Sequence, residues 1–186
     1  RTINALIDNG NIVDICISSK DVLEDLVINE GWDYTNLFPS GRKYKNIPIK
    51  INAFIFLVRT IIKLLDVTKD KKYDLFITDD ALGIVGRMRN VPTIHFADDD
   101  YSIISTSRVL FKFANYILAP DCTDLEKYNS KKISFMGYKQ SAYLRPNHFT
   151  PDQKIINSFN PNKRDYFILR LVSLTATHDM GKKGIG

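Results

Sequence analysis

Short apolar runs rich in β-branched residues alternate along this chain with longer stretches of helical period, and that alternation limits the fold more than any other feature. The runs over 12–17, 34–37, 75–78, 93–96, 116–118, 132–135 and 166–171 read as strands, with a helical pattern between most of them. Strand, helix, strand in that rhythm predicts parallel βαβ units, and hence an α/β fold with a Rossmann-like doubly wound sheet. The run Leu75-Phe76-Ile77-Thr78 has no polar alternation, which suits a strand covered on both faces.

Local signals set the expected boundaries. Asn9-Gly10 should end the first helix, because glycine accepts the left-handed cap conformation. Ser19 is placed to cap the next, with Val22, Leu23 and Leu26 as its apolar stripe. Phe54, Leu57, Val58, Ile61, Leu64 and Leu65 recur at helical spacing and mark the longest helix. Thr150, Pro151 and Gln153 read as a cap, a first-turn proline and a capping-box glutamine.

With 44% hydrophobic residues among 186, the chain can bury a real core but is short for two full domains. It opens at Arg1 inside a helical pattern and stops at Gly186 soon after a strand, so both ends are expected to be truncated. The formal charge of +5 does not by itself indicate nucleic acid, and none is expected as a partner. That charge is uneven: nine Lys or Arg between Arg42 and Lys72 face only Asp66 and Asp70, which leaves the rest slightly acidic. The most apolar window, 53–58, is broken by Arg59, well short of the roughly 20 residues that span a bilayer. Cys16 and Cys122 show neither metal-ligand spacing nor a disulfide framework, so a reducing cytoplasm is the expected setting.

In parallel sheets ligands sit beyond the carboxyl ends of strands, so the residues that follow each run carry the functional signal. Asp79 and Asp80 follow one run, and Asp98, Asp99 and Asp100 the next. Such carboxylates suit a general base, for which Asp98 and Asp100 are the candidates, or acceptors for sugar hydroxyls, the role expected of Asp79 and Asp80. Capping of the following helix by Asp80 or Asp100 is an equal alternative. Their spacing matches no cation-binding loop, so neither a metal nor a cofactor is expected. His95, inside a strand, is expected to be a hydrogen-bonded interior residue rather than a catalyst. The stretch from Met136 to Leu144 suits a connector lining a cleft, with Lys139 for phosphate and Tyr143 for stacking on a ring, or an ordinary linker. Beyond the run at 166–171, a loop of small residues containing His178, Asp179, Gly181 and two lysines has the composition that presents backbone amides to a diphosphate.

Read together, Phe96-Ala97-Asp98-Asp99-Asp100, Ala119-Pro120, Gly137-Tyr138-Lys139, Ala142-Tyr143-Leu144, Arg170-Leu171-Val172-Ser173, Ala176 and His178-Asp179 resemble the prokaryotic family known as domain of unknown function 354. The resemblance is richest from about Ile77 to Gly184. It implies a GT-B-like glycosyltransferase, distantly similar to the lipid-linked N-acetylglucosaminyltransferase of peptidoglycan synthesis and to the non-hydrolysing UDP-N-acetylglucosamine 2-epimerases. It further implies that 1–136 form the acceptor-side domain without its first strand, that 137–164 connect, and that 165–186 begin the nucleotide-sugar domain. The expected partners are a nucleotide-sugar donor and a sugar or lipid-linked acceptor. The basic stretch becomes a second candidate, for peripheral contact with anionic membrane, beside the simpler reading of a solvated helix face. Two positions depart from the family pattern: Gln140 stands where a glutamate is usual, and Arg145 where a histidine is. An epimerase, with His178 and Asp179 as acid and base, and a non-catalytic sugar-nucleotide binder are the alternative functions.

Overall fold

A computed structural model of the chain describes residues 2–19, 22–40, 48–104, 107–139, 141–147 and 149–169. Six of the expected strands form: β1 (Ile15–Ser18), β2 (Tyr34–Phe38), β3 (Phe76–Thr78), β4 (Thr93–Phe96), β5 (Tyr116–Pro120) and β6 (Lys132–Phe135). Helices α1 (Thr2–Asp8), α2 (Leu23–Asn29), α3 (Ile49–Thr68) and α4 (Leu82–Arg89) occupy the first gaps, and 3-10 segments at Ser107–Lys112 and Glu126–Lys131 the later ones. After β6 come the short helices α5 (Ser141–Leu144) and α6 (Gln153–Phe159). Of the seventh expected strand, residues 166–169 carry no regular structure and are exposed, Phe167 almost wholly; 170 and 171 lie outside the described residues.

Among the described residues all strand pairing is parallel, as the rhythm of the sequence requires, but it is divided between two sheets. β1 pairs with β2, and β3-β4-β5-β6 form a four-stranded sheet in sequence order.

The first helix ends where glycine allows it. Gly10 takes φ +81°, its N–H donates to Ile7 O at 2.8 Å and that of Asn11 to Leu6 O at 3.1 Å. The strand then starts later than the apolar run suggests: Ile12 is fully exposed, and Asp14 turns outward to accept from Lys71 Nζ and the Tyr73 hydroxyl.

Three local expectations are corrected. Ser19 does not cap α2, whose N-cap is Val22 with no side-chain bond; it donates to Glu24 and accepts from Asn36, fastening that helix to β2. Of the α2 stripe, Val22, Leu23 and Leu26 are exposed and Val27 carries the packing. Asp152, not Thr150, caps α6, accepting from Lys154 N at 2.8 Å.

The long helix forms as its period predicts, and of the six residues that mark it Ile61, Leu64 and Leu65 pack on the core while Phe54 and Val58 are exposed. Asn52, Phe56, Thr60, Leu64 and Thr68, one per turn, form its buried side, while Ile51, Phe54, Val58 and Ile62 form an exposed apolar stripe opposite. The threonines fit inside because a short hydroxyl can bond its own helix, as Thr68 does to Leu64 O at 2.7 Å. Arg89 closes the end of this helix, donating to Thr68 O at 2.6 Å.

Two apolar clusters make the core. One joins Leu37 and Phe38 of β2, Phe56 and Leu64 of α3, Phe76 of β3 and Val85 of α4. The other gathers Ala97, Phe111, Ala114, Ile117, Ala119 and Leu125 under the last strands. The first reaches β3 through Phe76, and the second lies at β4 and β5 through Ala97, Ile117 and Ala119.

Candidate functional site

Parallel strands deliver their following residues to the same rim, so the loops after β3, β4, β5 and β6 become neighbours. Asp79 and Asp80 come off β3, residues 97–100 off β4, 121–124 off β5 and 136–139 off β6.

Asp98 and Lys139 meet there. The lysine, from beyond β6, forms an ion pair with the Asp98 carboxylate across the end of β5, and both side chains retain access to solvent. Asp100 does different work. Its carboxylate accepts from Asp124 N at 2.7 Å while Tyr101 N donates to Asp124 O at 2.8 Å, and Thr123 Oγ1 donates to Asp98 O. These three bonds stitch the β4 loop to the β5 loop and hold Asp98 in place beside Lys139. Asp80 accepts from Ala81 N at 2.8 Å but does not cap α4, whose N-cap is Ala81 with no side-chain bond, and Asp79 stays exposed.

The loop after β5 went unnoticed in the sequence although the rule that found its neighbours applies to it. Asp121 and Cys122 follow Pro120 directly, and Asp124 comes soon after. Asp124 binds Asn129 Nδ2 and Glu126 N, and these bonds, the Asn129 amide first, hold its carboxyl below the usual range. The Cys122 thiol lies 3.5 Å from the Tyr138 hydroxyl; that contact, with the nearby Asp121 and Asp100 charges, pushes the phenol up. Tyr138 and Cys122 thus sit beside Lys139 with exposed faces.

His95 lies near the carboxyl end of β4, paired in register with Thr78 and Ile117. It is interior, as expected, at 4% exposure and edge-on to Phe111 at 5.1 Å, and its Nδ1 has no hydrogen-bond partner among the described residues. Burial lowers the imidazole from its ordinary 6.5, against the opposing pull of Asp79 and Asp80. The folded chain therefore keeps the ring neutral while the unfolded chain takes up a proton near 6.5. Stability should then fall as the pH drops below about 6.5, because the unfolded state binds more protons, and level off below the folded-state value. Urea unfolding of the wild type and His95→Gln at pH 7.5 and 5.5 checks this: the wild type should lose more between the two, and parallel losses would remove His95 as the cause.

Beside the rim lies an aromatic group. Tyr101 packs against Tyr128 and Phe111, with Arg108 and Lys127 5.4 and 5.6 Å from its ring centre. Carboxylate, lysine and aromatic faces on one rim suit a polyhydroxylated ligand carrying phosphate, since carboxylates accept from hydroxyls and ammonium groups meet phosphate oxygens. Among the described residues no group of three His, Cys, Asp or Glu side chains is placed to hold a metal ion.

Of the sequence candidates, Asp98 and Lys139 are in contact, Asp79 and Asp80 lie at the end of the adjoining strand, and Asp100 is a strut. The backbone of Tyr143 lies in α5, but its side chain is outside the described residues, as are His178, Asp179 and Gly181 altogether. Among the described residues no helix is long and apolar enough to cross a membrane. Compared with models of known protein families and with curated proteins, the chain matches none.

Proposed function

We propose that this chain is the acceptor-side half of a GT-B-type glycosyltransferase, which takes a nucleotide-sugar donor and a sugar or lipid-linked acceptor. The observation that carries the reading is the Asp98–Lys139 ion pair at the carboxyl rim of a parallel sheet. In this scheme the Asp98 carboxylate accepts the proton of the acceptor hydroxyl as its oxygen bonds to the sugar's anomeric carbon. The bond from that carbon to the nucleoside diphosphate breaks, and the electron pair leaves with the phosphate. Lys139 shifts from Asp98 to the departing diphosphate and offsets its charge. Asp100 positions Asp98 through the β5 loop, and Asp79 and Asp80 take sugar hydroxyls. In the same scheme 165–186 open the nucleotide-sugar domain, where His178, Asp179 and Gly181 contact the donor.

The test is transfer by the complete reading frame and by its Asp98→Asn variant, with a labelled nucleotide sugar and a lipid-diphosphate-linked acceptor. Loss of a general base should lower kcat roughly 100- to 10,000-fold with the circular dichroism unchanged. Unchanged turnover removes Asp98 from the reaction, and with it this reading.

A further inference from the structure

Two exposed cations stand on one tyrosine ring beside the rim. Arg108, from the 3-10 segment at Ser107–Lys112, holds its guanidinium 5.4 Å from the centre of the Tyr101 ring. Lys127, from the segment at Glu126–Lys131, holds its ammonium 5.6 Å from the same centre and 5.4 Å from that of Tyr128. The two rings lie 5.6 Å apart, and both pack on the buried Phe111. Their backbones are tied as well, Tyr101 N donating to Asp124 O and Tyr128 N to Leu125 O. A fixed pair of rings thus restrains two long side chains that would otherwise sample many rotamers.

What these cations lack is an acid. Attraction to a ring face uses the charge and leaves the N–H donors open. Among the described residues neither Arg108 nor Lys127 has a hydrogen bond or an ion pair, although Asp99 and Glu126 are exposed nearby. The other acids of the two loops are engaged: Asp98 with Lys139, Asp100 with Asp124 N, and Asp124 with Asn129 and Glu126 N. Ser105 and Thr106, which precede the first segment, bring no carboxylate. Lys131 is the contrast, its ammonium taken up by the carbonyls of Phe111, Lys112 and Ala114. Like charges gathered on one ring repel, and an anion that accepts from both offsets the repulsion. A guanidinium fork alone satisfies a carboxylate, whereas a fork and a compact ammonium together match the several oxygens of a phosphate.

We propose that Arg108 and Lys127, held over Tyr101 and Tyr128, form a phosphate-binding subsite beside the carboxyl rim, separate from Lys139. Because both are anchored on one ring, their heads converge on a single phosphate or diphosphate by side-chain rotation, with no movement of the backbone. Tyr101 follows Asp100, whose bond to Asp124 N joins the same two loops, so the subsite is rigidly linked to the rim. The inference uses no step of the glycosyltransferase reaction and stands without it.

Inorganic pyrophosphate is the probe, added to the isotopically labelled chain carrying Lys139→Ala, which removes the cation already assigned to phosphate, with sodium chloride at matched ionic strength as the blank. Amide shifts should centre on 101, 108 and 127–128. Arg108→Gln and Lys127→Gln, both at exposed positions, should each weaken binding roughly tenfold in that background, as loss of a charge-assisted contact does. Phosphate can come from a soluble ligand or a lipid headgroup, and phosphatidylcholine vesicles with and without phosphatidic acid separate these sources. Pelleting that requires both phosphatidic acid and the two cations assigns the lipid; pyrophosphate binding without pelleting assigns a soluble ligand. Shifts no larger than those with chloride, or binding that survives both substitutions together, overturn the subsite. Shifts confined to 137–139 in the chain that retains Lys139 overturn it too, while leaving the rim reading intact.

Discussion

Phe111→Ala should lower the stability of this protein by about 3–5 kcal/mol, the range for removing a buried aromatic ring. Phe111 is 1% exposed and sits at the centre of the second cluster, touching His95 edge-on, Tyr128 at 5.9 Å nearly perpendicular, and Tyr101 at 6.3 Å. Its neighbours cannot close the gap. Three of the five other buried members of the cluster are alanines, Ala97, Ala114 and Ala119, which have no length to extend into a void. A loss of that size is a large part of the 5–15 kcal/mol that holds a typical domain together, so the urea midpoint should fall sharply. Phe111→Leu, which refills most of the volume, should cost well under half as much. A Phe111→Ala loss below about 1 kcal/mol would mean that the cluster is not packed as described.

Gly86→Ala should cost about 2 kcal/mol, against the ordinary helix preference. Alanine in mid-helix is worth up to about 1 kcal/mol over glycine. At this position, though, a Cβ would stand 2.2 Å from Thr93 Oγ1 and 2.8 Å from Val91 O, and the second contact is backbone, which cannot rotate away. Overpacking of that kind costs typically 1–3 kcal/mol and occasionally more, so sterics outweigh propensity. Gly83, one turn earlier in α4, supplies the control. Its added Cβ would meet nothing closer than 3.7 Å, an ordinary contact, so Gly83→Ala should be neutral or stabilising by up to about 1 kcal/mol. Melting temperatures of the two variants should move in opposite directions or differ widely; equal shifts would contradict the close approach of α4 to β4.

The contrast between those glycines was not legible in the sequence, because both sit in one helix and only tertiary contact separates them. What was legible is whatever periodicity and local chemistry determine. β2 to β6 fall within a residue or two of the apolar runs at 34–37, 75–78, 93–96, 116–118 and 132–135, and Gly10 ends α1 as its missing side chain allows. The parallel direction of every pair follows from the helix or 3-10 turn that fills each crossover.

Phase and partner choice were not legible. Helix α3 is apolar on two opposite sides, so its period locates stripes without saying which one meets the sheet. The packed stripe contains Asn52, Thr60 and Thr68, which a hydrophobic count passes over, and the apolar one with Phe54 and Val58 faces outward. Ser19 had the identity of a cap, but Glu24 and Asn36 offered its hydroxyl better partners than the α2 backbone did. At the rim, the placement of Asp98 and Asp100 after a strand could be read from the sequence, while their division of labour could not. It is set by the Asp124 N–H, which takes Asp100, and by Lys139, which lies forty-one positions from Asp98 and reaches it only because β6 is two strands away.

The central claim is that this chain's ligands bind at the carboxyl rim around Asp98 and Lys139. Backbone amide shifts of the isotopically labelled chain, recorded while a nucleotide sugar and then a lipid-diphosphate-linked sugar are added, test it most directly. The account predicts that the shifts centre on 79–80, 98–100, 121–124 and 137–139, and that Lys139→Ala weakens binding roughly tenfold, as loss of a charge-assisted contact does. Shifts at the amino-end turns around 73–75, 90–92 and 113–115, or none with either ligand, would contradict it.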